Sequence, residues 1–320
     1  PRLARAAVIT GPRQAEMREV EVRAPAAGEV RVCIEGCGVC GSNLPLWEGR
    51  EWFEYPQPAG APGHEGWGIV DAVGTGVSDV RVGERVAMIG SHAFAEYDVV
   101  PADNIVHVPS DFDGRSFPGE PLGCAMNVYR RSMIEPGQTI AIIGIGFLGA
   151  LLTQLCSRSG ARVIALSRRA WSLDVARNCG AAETILLDDH YRIIEQVRDS
   201  TGGEFCDRVI ECAGLQWPLD LAGELTRERG RLVIAGFHQD GPRQVNMFLW
   251  NWRGLDVVNA HERATSTYVR GMRDAVSAMR AGLLEPDALY THTLPLERTG
   301  DRGAAPSLQG GLDQPAAGEE

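Results

Sequence analysis

At 320 residues, with 44% hydrophobic and 23% charged side chains, the chain is long enough for two domains that each bury a core of their own. Its 42 acidic against 31 basic residues leave a net charge of -11, which argues against a nucleic-acid or anionic-membrane partner. No apolar run reaches bilayer-spanning length and Pro1 to Thr10 lacks a signal-peptide pattern, so the default compartment is the cytoplasm.

From residue 1 to about 110 the pattern has period two: Val30, Val32 and Ile34 alternate with Arg31 and Cys33, and turns such as Gly74-Thr75-Gly76 separate the runs. This half reads as a compact, mostly β domain. Near residue 136 the pattern changes. Thr139 to Ile143 reads as a buried strand, followed by glycines and by Leu148, Leu151, Leu152 and Leu155 at helical spacing. Further strand-like runs stand at Val163 to Leu166, Thr184 to Leu187, Arg208 to Cys212, Leu232 to Ala235 and Leu255 to Asn259, with helical stretches between them. Six apolar strands alternating with helices predict a doubly wound parallel sheet, hence an α/β chain. A last amphipathic helix carries Val269, Met272, Val276 and Met279 on one stripe, and Leu294 to Leu296 is expected to return to the first domain. Residues 299–320 carry only Leu308 and Leu312 as large apolar side chains and read as a disordered or aberrant tail.

Gly144, Gly146 and Gly149 spell G-x-G-x-x-G between a buried strand and a helix opening at Phe147 and Leu148. The first glycine permits the tight turn, the second lets the backbone approach a pyrophosphate, and the third lets helix and strand pack closely, with the helix N-terminus toward the phosphates. At the end of the next strand, where an NAD enzyme places a carboxylate, stands Ser167, followed by Arg168 and Arg169. Guanidinium donors suit a 2′-phosphate, so NADP is preferred over NAD. The alternative is two solvated arginines at a helix start.

In the β half, Cys40 lies in Gly38-Val39-Cys40-Gly41-Ser42-Asn43, His64 in Gly63-His64-Glu65-Gly66, and Glu120 and Cys124 in Glu120-Pro121-Leu122-Gly123-Cys124. A catalytic zinc takes three protein ligands from sulfur, nitrogen and carboxylate oxygen, and Cys40, His64 and a glutamate can supply them. The eight cysteines Cys33, Cys37, Cys40, Cys124, Cys156, Cys179, Cys206 and Cys212 read as thiols in so long a chain, some of them metal-bound.

In this order the tracts resemble the zinc-containing medium-chain dehydrogenase/reductase family, over residues 1 to about 298, with sorbitol and threonine dehydrogenase-like members most similar. The resemblance implies a GroES-like catalytic domain at 1–125 and 262–298 and a Rossmann dinucleotide-binding domain at 126–261. It puts one catalytic zinc on Cys40 and His64, with Glu120 as third ligand and Glu65 as a neighbouring or exchanging one, and places the rival ligand Cys124 beside the nicotinamide. Ser42 would relay the substrate proton. Asn43 stands where the family has an aspartate that orients the histidine ligand. Cys37 and Cys40 also form C-x-x-C, but there is no second such pair. The family's structural-zinc lobe is also missing, since Val86-Ala87-Met88-Ile89 runs almost straight into Phe94-Ala95-Glu96-Tyr97.

The implied reaction moves a hydride between a secondary alcohol, polyol or sugar-like, and the nicotinamide, in a homodimer or homotetramer. Trp47, Trp52 and Phe53 are candidates for the substrate wall or for ordinary packing, and the run Phe248, Leu249, Trp250, Trp252 for a subunit interface or for core. The alternatives are a zinc-free quinone or enoyl reductase and a non-catalytic NADP(H)-binding sensor.

Overall fold

A computed structural model describes residues 2–299, so the expectation for the C-terminal tail lies, beyond Thr299, outside the described residues. By backbone contacts the chain divides into two compact units. The first comprises residues 2–123, 264–276 and 290–299 among those described, and the second 124–263 and 277–289.

In the first unit, β1 (Arg2–Gly11) and β2 (Gln14–Val22) form an antiparallel hairpin. A five-stranded antiparallel sheet contains β3 (Glu29–Gly38), β4 (Glu65–Val73), β5 (Arg85–Met88), β6 (Tyr97–Pro101) and β7 (Ile105–His107) in the order β6-β3-β4-β5-β7. The period-two pattern is explained by its two faces. Val30, Val32, Val70, Val86, Met88 and Val100 point to one buried cluster while Arg31 turns outward to Asp71. Between β3 and β4 lies the short helix α1 (Leu44–Glu48), where Leu46 and Trp47 pack against Ile9 and Phe53. Trp47 is therefore a packing residue, whereas Trp52 is exposed.

The boundary between units falls inside α2 (Gly119–Ser132). The second unit is built on β8 (Thr139–Ile143), β9 (Arg162–Ser167), β10 (Glu183–Leu186), β11 (Cys206–Glu211), β12 (Thr226–Ile234) and β13 (Asp256–Asn259). All are parallel, in the order β10-β9-β8-β11-β12-β13. Helices α3 (Phe147–Arg158), α4 (Ala170–Asn178), α5 (His190–Ser200), α6 (Gln216–Leu225) and α7 (Met247–Arg253) connect them. Strands covered on both faces read as continuous apolar runs, which is why all six were visible in the sequence. β12 starts six residues earlier than its apolar run, because its first half, Thr226 to Arg231, is polar and partly solvated.

α8 (Thr265–Arg280) buries Val269, Met272, Val276 and Met279, the stripe expected from its periodicity. Residues 277–289 pack with the second unit, where Gln154 and Glu285 exchange two hydrogen bonds of 2.9 and 2.8 Å between side chain and backbone. The segment near Leu296 joins the first unit through an ion pair between Arg5 and Glu297. Among the described residues no helix is long and apolar enough to cross a membrane.

Candidate metal centre and dinucleotide cradle

Two segments of the first unit bring Cys40 together with the consecutive residues His64 and Glu65. Cys40 leaves β3 and caps the single 3-10 turn Gly41–Asn43, with its own N–H donating to Asn43 Oδ1 at 3.2 Å and the N–H of Ser42 donating to its sulfur at 3.5 Å. The Ser42 side chain also hydrogen-bonds that sulfur. Backbone and hydroxyl donors aimed at a thiol favour its thiolate form, the form that ligates metals.

His64 precedes β4 on a stretch laid against the short connection between β5 and β6. Ala93 N–H donates to Gly63 O at 2.9 Å and Phe94 N–H to Gly60 O at 3.0 Å. A Cβ on Gly63 would stand 2.4 Å from the Phe94 nitrogen, so the close approach requires glycine there. The His64 Nδ1 faces the Pro62 carbonyl at 2.8 Å. A carbonyl only accepts, so Nδ1 carries the proton and Nε2 keeps its lone pair for a metal. The orienting group of this histidine is thus a backbone carbonyl. Asn43, expected at that task, is instead turned back onto the Cys40 amide three residues away.

Glu65 opens β4 opposite Gly38 of β3 and is 4% exposed. A Cβ on Gly38 would lie 1.9 Å from Glu65 Oε2, so the carboxylate occupies space that only a glycine leaves free. Burial, then the facing Cys40 and Glu120, push the Glu65 carboxyl well above the usual carboxylate range. Burial also raises the Cys40 thiol, against the Ser42 bonds. Among the described residues no Lys or Arg pairs with Glu65. Two acids desolvated side by side are costly unless a cation neutralises them.

The ligand atoms of Cys40, His64 and Glu65 lie within 4.8 Å of one another, and no other group of three such side chains does so among the described residues. Ligands of a tetrahedral zinc stand roughly 3.5 Å apart, so sulfur, imidazole and carboxylate fit one ion after small rotamer changes. Glu120, in the first turn of α2, is near enough to act on Cys37, Cys40 and Glu65 electrostatically but does not fall within that group. Cys37 is half-buried with its thiol donating to Gly38 O at 3.3 Å, and none of the eight cysteines is in a disulfide.

In the second unit the glycine motif sits where the sequence placed it. Gly144 adopts φ 98° after β8, and a Cβ on Gly149 would lie 2.2 Å from the Gly144 oxygen, so the third glycine is what lets α3 fold back on the strand. A Cβ on Gly146, the N-cap of α3, would meet nothing within 4 Å. That open space and the helix N-terminus, at Phe147 and Leu148, are features suited to an anion. Ser167 ends β9 buried, with its Oγ accepting from the Arg169 N–H at 3.4 Å, and Arg168 is exposed. Cys124 lies four residues beyond Glu120 on α2 and is half-buried. Sequence reasoning missed a trio at the carboxyl end of β11, the strand next to β8: the buried Glu211 with the half-buried His238 and Arg243; its one visible trace was a carboxylate ending an apolar strand.

The geometry of Glu65 gives one expected outcome. Gly38→Ala should displace the carboxylate and weaken binding of Zn2+ or Co2+ by at least about tenfold, read by titration with a metal-sensitive dye, while the circular dichroism stays unchanged. Unchanged metal affinity would show that Glu65 contributes nothing to the site.

Comparison with known proteins agrees with both units. Residues 26–110 match the alcohol dehydrogenase GroES-like domain and residues 148–278 the zinc-binding dehydrogenase domain. An alcohol dehydrogenase of Geobacillus stearothermophilus is 30% identical over 72% of this chain and 77% of its own length. An erythritol/L-threitol dehydrogenase of Mycolicibacterium smegmatis is 28% identical over 100% of this chain and 96% of its own. Among solved structures, a zinc-binding dehydrogenase of Sinorhizobium meliloti bound to NADP superposes with a TM-score of 0.82 at 26% identity, covering 100% of this chain and 98% of that one. With a GroES-like antiparallel unit, a Rossmann-type parallel sheet and relatives that span its length, the chain belongs to the zinc-type medium-chain dehydrogenase/reductase family.

Proposed function

We propose that the chain is a zinc-dependent dehydrogenase that moves a hydride between a secondary alcohol, polyol or sugar-like, and C4 of NADP. The observation that carries this reading is the convergence of a thiol, an imidazole and a buried carboxyl group within 4.8 Å. Cys40 and His64 would hold the ion together with a carboxylate from Glu65 or Glu120, and Glu65 has the better claim because its oxygen already lies with the other two donors. Zinc, when bound, supplies Lewis-acid polarisation of the substrate oxygen and eases loss of the alcohol proton near neutral pH. Ser42, whose side chain reaches the Cys40 sulfur, is the group beside the site able to pass that proton outward. Pro62 O keeps His64 in one tautomer. The glycine turn and the α3 N-terminus orient the dinucleotide.

The polyol class is supported by the likeness to the erythritol/L-threitol dehydrogenase and to a (R,R)-butanediol dehydrogenase of Neisseria gonorrhoeae. NADP is favoured by Ser167 in place of a carboxylate and by Arg168, which has no ion-pair partner among the described residues. A homodimer or homotetramer is supported by Phe248 and Trp252 on α7, stacked on each other and each 78% exposed, an apolar surface costly to leave in water.

Purified protein should contain zinc and oxidise polyols, and Cys40→Ala or His64→Ala should abolish both together. Comparing Glu65→Gln with Glu120→Gln then identifies the third ligand as whichever loses metal. A zinc-free chain that reduces quinones or enoyl substrates would overturn the reading. Arg168→Asp should raise KM for NADP by about tenfold or more, the value of a lost charge-assisted contact, and improve use of NAD; an unaltered NADP/NAD ratio would remove Arg168 from the cofactor site. Light scattering should give at least twice the monomer mass, and Phe248→Glu with Trp252→Glu should shift it toward monomer.

A further inference from the structure

At the carboxyl end of β11, Glu211 is completely buried. Its Oε1 accepts from the backbone N–H groups of Ala213 and Gly214, both at 2.7 Å, and its Oε2 lies 3.0 Å from His238 Nε2. On the far side of the imidazole, Arg243 Nε donates to His238 Nδ1 at 2.8 Å. The same guanidinium donates to Gly214 O at 2.9 Å and pairs with Asp240. A guanidinium has no acceptor, so Nδ1 must take the hydrogen bond and Nε2 must carry the proton that Glu211 receives. The result is a directed chain, Arg243 to His238 to Glu211, ending on a carboxylate whose other oxygen grips the next loop.

That chain joins two loops, 212–215 after β11 and 236–244 after β12. They approach so closely that a Cβ on Gly236 would stand 2.3 Å from the Gly214 nitrogen and 2.9 Å from Glu211 Oε2, and one on Gly214 would stand 2.7 Å from the Phe237 oxygen. In a doubly wound sheet a dinucleotide lies across the carboxyl ends of the strands, one mononucleotide on each half. The β8-β9-β10 half carries the glycine turn and Arg168, which leaves β11-β12-β13 for the nicotinamide mononucleotide.

We infer that Glu211, His238 and Arg243 are positioning residues that hold these two loops as the wall of the nicotinamide half-site, without serving the adenosine half. The inference rests on the dinucleotide reading above. It calls for a binding measurement that separates the two halves of the cofactor: NADPH by fluorescence titration and 2′,5′-ADP by calorimetry. His238→Leu and Arg243→Leu should each weaken NADPH binding by about tenfold, the scale of one lost buried charge-assisted hydrogen bond, and leave 2′,5′-ADP affinity unchanged. His238→Gln should restore NADPH affinity, because its amide can donate to Glu211 and accept from Arg243 at once. Unchanged NADPH affinity in both leucine variants would overturn the inference. So would a parallel loss of both ligands in both variants, since that is the result of damage to the whole unit. A wild-type chain that binds neither ligand would overturn the dinucleotide reading itself.

Discussion

A carboxyl group buried against a thiol is the constraint on which the first unit turns. Glu65 and Cys40 are both desolvated and both acidic, and after burial itself the facing Cys40 and Glu120 raise the cost of ionising Glu65 further. An arrangement of that kind is stable only where protons remain on the acids or a cation replaces them. Its geometry then governs the choice of neighbours. Gly38 must lack a side chain because the carboxylate stands where one would be, and Gly63 must lack one so that the His64 segment can lie against the β5–β6 connection. The polar groups around the cluster are backbone or short side chains, namely the Pro62 carbonyl, the Ser42 amide and hydroxyl, and the Asn43 amide. Such groups lose little conformational entropy when they are ordered.

The second unit solves a different problem with the same device. Parallel strands end in a row of loops, and the loops come together only where glycine removes a Cβ. Gly144 and Gly149 do this at the start of α3, and Gly214 and Gly236 do it across β11 and β12. At the first pair the freed space and the helix N-terminus suit an anion. At the second pair a buried carboxylate accepts from three donors on two loops, and Arg243 adds a bond from the second loop to the Gly214 carbonyl of the first. Glycine permits the approach, and charge-assisted hydrogen bonds then make it the preferred state.

The two halves of the chain were legible for different reasons. The parallel sheet announced itself because strands buried on both faces are unbroken apolar runs, as in Thr139 to Ile143 and Val163 to Leu166. The antiparallel unit showed in the alternation of Val30 and Val32 with Arg31. The polar start of β12 was hidden, since Thr226 to Arg231 has no apolar signature and is held in the sheet by pairing with β11. The aromatic segments were ambiguous: Trp47 packs inward on Ile9 while Trp52 does not, although both stand in similar surroundings in the sequence.

The sequence by itself determined the identity of the donors and of the glycine turn, because a thiol, an imidazole and a carboxylate are chemical properties of single residues and G-x-G-x-x-G is a local conformation. Which glutamate lies with Cys40 and His64 was decided by tertiary structure: Glu65 is placed by the pairing of β4 with β3, while Glu120 arrives on a helix, and no spacing in the chain encodes that distance. The same holds for the group that orients His64 and for the Glu211, His238 and Arg243 chain, whose members are up to 32 residues apart and meet only because parallel strands bring their carboxyl ends side by side. Local chemistry is written in order along the backbone; convergence depends on the packing of the whole unit.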